Sequence, residues 1–181
     1  ARVNLNLYPD GFLPEISARL SDHYITTGLR TMITDWEVDF SNSFGSNAIH
    51  FFVANSVNAS MGDDSPLAFE SGGIRFTQNT TNLDFSHTIK DLSGIRSMKM
   101  LIGSEFRLEN YRIMAGEEAS WINENQVAFP GAQGFPGYQP VDETDQTRTN
   151  TAVYADLGVD FSRLFYAELA GRFEEYSDFG S

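Results

Sequence analysis

Charged side chains that alternate with apolar ones are the residues of this sequence best placed to do chemistry. Glu105 and Arg107 share one such stretch, Asp156 lies in the next, and Glu168 and Arg172 lie in the last. Two carboxylates at a fixed separation are what a glycosidase needs for hydrolysis. Cross-strand pairing of opposite charges produces the same pattern without catalysis. We therefore predict a structural charge network, and we do not predict an enzyme.

The histidines and the acidic runs do not have the spacing of a metal site. The three histidines are scattered along the chain, with no ligand spacing. The acidic runs at 63–64 and 142–145 depart from the regular spacing of a calcium loop, so solvated loop charge is the favoured interpretation. The sequence has no cysteine and no phosphate-binding, nucleophile-elbow or zinc motif. We predict no metal and no cofactor.

A long segment, 114–147, differs from the rest of the chain because it is rich in proline, glycine and glutamine. Loops of this length inside a compact fold are usually functional or disordered. Its aromatic residues Trp121, Phe135 and Tyr138 are large rings that suit a ligand surface. Packing against neighbouring loops would explain the same rings equally well. These three residues are our candidate ligand contacts.

Alternation with a period of two must position these side chains, and it predicts an all-β, antiparallel fold. The alternation is clearest in the last third of the chain, over 149–159 and again over 165–173. Each arm has about ten residues, whereas a usual strand has roughly five or six and a tilted strand needs about 9–11 to cross a bilayer. Eight strands are predicted, at residues 2–7, 25–33, 36–44, 48–59, 77–89, 98–109, 149–160 and 165–174.

The charged residues of these strands bear on whether one face meets lipid. Every charged residue in the last seven spans lies on the phase opposite the apolar residues. A charge on a lipid face would cost about 2–4 kcal/mol near the bilayer midplane, whereas a water-filled lumen accepts it. A soluble β-sandwich would segregate its residues in the same way, toward a core. The pattern leaves both folds open, and strand length favours a transmembrane barrel.

The lengths of the connections orient the predicted barrel. With eight strands, the connections at 34–35, 61–74 and 114–147 lie on one rim. Transmembrane barrels have short periplasmic turns and long outer loops, so this rim is predicted to face outward. Trp36 is then expected in the outer aromatic girdle, and Phe44 and Phe165 in the inner one.

Three stretches of the chain resemble the barrel of a TonB-dependent outer-membrane receptor. Residues 152–157 (AVYADL) and 171–181 (GRFEEYSDFGS) are similar to the family's VYAEL and RYExYSDFG strands. Residues 103–111 (GSEFRLENY) are similar to its GxEYRxExY strand. Asp156 and Phe173 replace the usual Glu and Tyr. The resemblance covers most of the chain, from about Tyr8 onward.

The resemblance implies that residues 1–181 are part of a barrel domain, cut at both ends and lacking the N-terminal plug. Outer-membrane transporters of this class have about 22 strands and a plugged lumen. The implied function is active uptake of a scarce nutrient, such as a metal chelate, cobalamin or an oligosaccharide, across the bacterial outer membrane. The implied partners are outer-membrane lipid, the nutrient, and TonB through the missing part. The remaining alternative is a soluble β-sandwich that binds a ligand such as a carbohydrate.

Overall composition excludes one class of partner. The formal net charge is −13, from 12 basic and 25 acidic residues. Because a phosphate backbone repels such a surface, nucleic acid is not predicted as a partner. No apolar run approaches the roughly 18 residues of a transmembrane helix.

Overall fold

The computed structural model describes residues 4–90, 92 and 94–179. The chain is all-β, as predicted, with one antiparallel sheet in which each strand pairs with its neighbours in the sequence, in the order β1-β2-β3-β4-β5-β6. The strands are β1 Glu15–Ile33, β2 Trp36–Ala54, β3 Ala68–Lys90, β4 Ser97–Met114, β5 Thr144–Ser162 and β6 Phe165–Tyr176. Two 3-10 helices, Ala59–Asp64 and Pro140–Asp142, and one helical turn, α1 Glu118–Trp121, lie in the long connections.

The described part of the chain has six strands, so the predicted number of eight is wrong. The predicted strands at 36–44 and 48–59 are one strand, β2, which runs straight through Gly45-Ser46-Asn47. A Cβ at Gly45 would meet the ring of Tyr24 at 3.6 Å, and the Asn47 amide donates to the carboxylate of Asp22. Residues that usually make a turn here satisfy the neighbouring strand instead.

The first predicted strand, at 2–7, is not a strand where it is described. Residues 1–3 lie outside the described residues, and 5–7 form a turn. The Asn4 side chain accepts from the Asn6 backbone N–H at 2.9 Å. Local bonding of this kind lets asparagine compete with a sheet ladder for the backbone. The turn predicted at 8–11 is confirmed, with Gly11 at a φ of 85°.

Two strands begin earlier than the sequence predicts. β1 begins at Glu15 rather than at 25, and β3 begins at Ala68 rather than at 77. Gly72 and Gly73, predicted to close a loop, lie inside β3 because neighbouring backbone approaches them closely. A Cβ at Gly72 would lie 2.3 Å from a backbone oxygen, and one at Gly73 would lie 2.4 Å from another. The link predicted at 91–97 includes Asp91 and Ser93, which lie outside the described residues.

The continuity of β2 changes which connections share an end of the sheet. The turn at 34–35 lies at the same end as the links at 91–96 and 163–164, and the long connections lie at the other end. The prediction that the turn at 34–35 shares a rim with the long loops is therefore wrong. Trp36 belongs to the short-turn end together with Phe165, and Phe44 lies in the middle of β2.

The chain divides into two compact units. Unit 1 contains residues 1–23, 46–76 and 110–146, and unit 2 contains 24–45, 77–109 and 147–181. Unit 1 holds the apolar core, where Val53, Phe69 and Ala132 are almost fully buried and Phe135 packs against them. None of the helices in the described residues has the length and apolar character needed to cross a membrane.

Candidate functional site

The candidate ligand contacts of the long loop are placed by a folded segment of unit 1. Phe135 and Tyr138 meet edge to face with ring centroids 6.0 Å apart, and Phe135 also packs against Phe51 at 5.1 Å. The Trp121 indole N–H donates to the carbonyl of Gly116 at 3.2 Å. All three candidate rings are half-buried. The structure brings Phe135 and Tyr138 into contact, and it places Trp121 at the end of α1.

Asn58, a residue that the sequence did not single out as functional, organises this loop. Its buried side-chain amide donates to the carbonyls of Ala119 and Ile122, each at 2.9 Å. Its side-chain oxygen accepts from both the backbone N–H and the hydroxyl of Ser60, at 3.1 and 2.7 Å. The Asn58 backbone also pairs with Ala132 in a β-bridge. One side chain therefore ties the connection after β2 to the connection after β4.

Ser120 supplies a second junction inside the same loop. Its carbonyl accepts from the backbone N–H groups of Ala132 and Gly137, at 2.9 and 3.0 Å. Its hydroxyl donates to the Glu117 carbonyl at 2.6 Å, and the residue is fully buried. A Cβ at Gly137 would lie 1.9 Å from the Ser120 hydroxyl oxygen, so only glycine fits there. The glycines of the loop thus allow close packing rather than flexibility.

A carboxylate clamps the segment before β1 onto unit 1. Asn4 donates to Asp63 at 2.7 Å, and Asn6 donates to both oxygens of the same carboxylate at 3.1 and 2.9 Å. These two hydrogen bonds, the one from Asn4 first, lower the pKa of Asp63 below its ordinary value. We call residues 4–14 the strap. Asn55 holds its other end by donating to the carbonyl of Leu13 at 2.7 Å.

In unit 2, three members of the predicted charge network come together. Arg172 lies 3.1 Å from a carboxylate oxygen of Glu105 and also contacts Glu174. Arg107 lies 3.5 Å from the same Glu105 and 3.5 Å from Glu109. The predicted network of Glu105, Arg107 and Arg172 is thus present in the structure as alternating charges on neighbouring strands.

The network continues on both sides of these residues. Arg148 contacts Glu109 at 2.5 Å, and that carboxylate is almost fully buried. Tyr154, which the sequence did not single out, donates to Asp84 at 2.5 Å, and the guanidinium carbon of Arg172 lies 5.2 Å from the centre of its ring. The position of Tyr154 on the polar phase of β5 was the available signal for its role.

The remaining two predicted members, Asp156 and Glu168, form their own contact. The two side chains are hydrogen-bonded to each other, and the hydroxyl of Tyr166 donates to Glu168 at 3.0 Å. The register of β5 and β6 sets Tyr154 opposite Arg172 and Asp156 opposite Ala170. It sets Leu157 opposite Leu169, so polar and apolar residues of this pair of strands lie on opposite faces, as predicted.

The arrangement favours charge neutralisation over catalysis. The carboxylates of Glu105, Glu109 and Glu174 each have an arginine partner, and a paired carboxylate is a weak nucleophile or base. Within the part of the chain that the structure describes, no three histidine or carboxylate side chains are grouped so as to hold a metal ion. No family model matches the sequence, and no curated protein matches it either.

Proposed function

We propose that this chain is part of the wall and outer loops of a TonB-dependent receptor barrel in the bacterial outer membrane. The observation that carries the proposal is an apolar face left open on the sheet. Six large apolar side chains on the predicted lipid phase are roughly half exposed or more: Leu29, Ile102, Phe106, Val153, Leu169 and Phe173. Exposed apolar patches of this extent mark interaction or membrane surfaces in proteins.

The opposite face of unit 2 supports the same proposal because its charges neutralise one another. All nine ion pairs found among the described residues lie within unit 2. A polar lumen accepts such groups, whereas the hydrocarbon side of a barrel does not. A wall with lipid on one side and a plugged, polar lumen on the other fits both faces.

Strand length is a third support. The five longest strands have 18 to 23 residues, well beyond the about 9–11 that a tilted strand needs to cross the bilayer. The excess length leads toward the long connections, so the strands extend past the membrane on that side. There the folded loop would offer the first binding surface for a nutrient such as a metal chelate, cobalamin or an oligosaccharide. TonB would act through the plug that the resemblance implies.

The alternative of a soluble β-sandwich has less support. A sandwich needs a second sheet packed about 10 Å from the first, over its apolar face. The described residues form one sheet of consecutive strands, with no second sheet. The apolar face of unit 2 therefore has nothing from the described chain to cover it, and lipid is the simpler covering.

The test uses two adjacent positions of β6 that point to opposite faces. Leu169→Lys places a charge on the proposed lipid face, where it costs about 2–4 kcal/mol near the midplane. Ala170→Lys places the same charge opposite Asp156, on the proposed lumen face. Liposome flotation of the refolded chain should show strong loss of membrane association for Leu169→Lys and little change for Ala170→Lys. Equal behaviour of the two variants, or no flotation of the unmodified chain, would contradict the proposal.

Uptake is tested separately, in the full-length receptor. Ferric chelates, cobalamin and oligosaccharides are titrated one class at a time against receptor in detergent, with the thermal unfolding midpoint as the readout. A ligand that binds the folded state raises this midpoint by mass action. We expect one class to do so. A receptor that floats with liposomes but binds none of them would retain the wall and lose the proposed nutrient classes.

A further inference from the structure

Unit 2 has an apolar groove of about 430 Å³ at its short-turn end. The groove is lined by Ile33, Thr34, Trp36, Val38, Phe85 and Ile102. Ile33 is 59% exposed and Ile102 is 56% exposed, so the groove is open along its length rather than sealed by its own side chains. Its shape and lining suit a hydrocarbon chain, because a branched apolar wall rewards burial of methylene groups.

A polar hollow of about 630 Å³ lies at the same end of unit 2. Lys90 and Lys99, the only lysines of the sequence, both line it, and so do His87, Asp35 and Glu37. Glu37 already has a partner, because the Arg30 guanidinium lies 3.7 Å from it. The hollow therefore offers lysine cations and the Asp35 carboxylate to a bound group.

A stacked pair of rings joins the groove to the hollow. The indole of Trp36 lines the groove, the imidazole of His87 lines the hollow, and their centroids are 5.2 Å apart at 28°. The His87 ring is held from behind, since its Nδ1 lies 2.6 Å from the Asp35 carbonyl. Tryptophan is enriched where an apolar environment meets a polar one, because its ring is apolar and its N–H is polar.

We propose that groove and hollow together bind one phospholipid with a zwitterionic head. One acyl chain lies in the groove beside Trp36, Lys90 and Lys99 hold the phosphate, and Asp35 holds the ammonium. A head with only negative charge would bring its charge beside Asp35 and Glu37 with nothing to offer them. The inference rests on the proposed function, since the groove must face lipid for a chain to enter it.

The test uses the full chain in detergent micelles with Trp121→Phe, which leaves Trp36 as its single tryptophan. Circular dichroism verifies that this variant is folded. Phosphatidylethanolamine with bromine atoms on its acyl chains is titrated in, because bromine quenches indole emission on contact. We expect saturable quenching of Trp36. Brominated diacylglycerol, which has the chains without the head, should bind at least about tenfold more weakly, since hydrogen bonds to charged groups contribute about 1.5–3 kcal/mol.

Three substitutions in the same background probe the two parts of the site. Lys90→Gln together with Lys99→Gln should weaken the binding of the brominated phospholipid by about tenfold or more. Arg163→Gln removes a cation from another turn at the same end and should change nothing. Ile102→Phe fills the groove and should abolish saturable quenching. Loss of binding with Arg163→Gln equal to that of the lysine pair would mean general attraction to cations and overturn the site.

A reference protein separates failure of this site from failure of the membrane wall. It carries Trp36→Phe, Trp121→Phe and Leu169→Trp, so its one indole lies on the exposed apolar face of β6. Quenching of the reference but not of Trp36 would overturn the phospholipid site and leave the wall in place. Quenching of neither would overturn both. Quenching of Trp36 that does not saturate and ignores the head and the lysines would mean bulk lipid only, which also overturns the site.

Discussion

The hydroxyl of Tyr154 on β5 donates to Asp84 on β3 at 2.5 Å, across the intervening strand β4. The bond is possible because β4 has Gly103 beneath it. A Cβ at Gly103 would lie 2.2 Å from the Tyr154 ring and 2.3 Å from the Asp84 carboxylate. A missing side chain on one strand thus lets its two neighbours join directly.

Replacing this glycine should loosen the sheet. Gly103→Ala forces the Tyr154 ring away from Asp84, and overpacking of this kind costs about 1–3 kcal/mol. The measurement is urea unfolding of the refolded chain in detergent. Gly171→Ala is the matched control, because nothing lies within 4 Å of a Cβ at that position of β6. A Gly103→Ala protein as stable as the Gly171→Ala protein would show that the junction does not matter.

Asn58 should control the order of the long loop. Asn58→Ala leaves two buried carbonyls of the loop without their donor, at a cost of about 1–3 kcal/mol for each unsatisfied group. Hydrogen exchange should rise across 115–143 and stay unchanged in β5 and β6. Asn125→Ala serves as the control, since Asn125 accepts only from nearby N–H groups on an exposed part of the loop. Exchange confined to the substituted residue in both variants would argue against Asn58 as the organiser.

The rings of the loop should divide into ligand contacts and packing residues. In the full-length receptor, Trp121→Ala or Tyr138→Ala should weaken ligand binding by at least about tenfold, which corresponds to about 1.4 kcal/mol. Exposed rings that anchor a ligand often carry this much of the affinity. Ligand titration measures the effect, and heat-dependent gel migration verifies folding. Unchanged affinity in both folded variants would remove the loop from the site.

Phe135 should behave differently from the other two rings. It packs against the core of unit 1, so Phe135→Ala should lower the free energy of unfolding. The loss should be somewhat less than the roughly 3–5 kcal/mol typical of a fully buried phenylalanine. Thermal unfolding of the full-length receptor, with Trp121→Ala as the comparison, measures it. A stable Phe135→Ala protein with impaired ligand binding would move Phe135 from the core to the binding surface.

The strap should come loose in acid. Because the pKa of Asp63 is lowered in the folded chain, its clamp is present at pH values above the ordinary aspartate value and is lost as the pH falls through the lowered one. Hydrogen exchange in residues 4–12, corrected for the intrinsic pH effect, should therefore rise at low pH. Asp63→Asn should show raised exchange at every pH. Exchange that follows the intrinsic pH effect alone in the unmodified chain would refute the clamp.

The sequence by itself determined which residues share a face. Leu157 opposite Leu169 and Asp156 opposite Ala170 follow from alternation along each strand, which depends only on local backbone geometry. The same alternation placed Glu105, Arg107 and Arg172 together before their contacts were known. Charge pairing followed because residues on one face of neighbouring strands are within reach of each other.

Only the tertiary structure decided where the strands end and which residues hold the loops. Gly45 and Gly72 have the composition of turns, yet each continues a strand, because a neighbouring ring or backbone occupies the space that a side chain would need. Asn58 is an ordinary polar residue until the connection after β4 brings two carbonyls to its amide. Close approach and burial are created by parts of the chain far apart in sequence, and for that reason no local pattern of residues contains them.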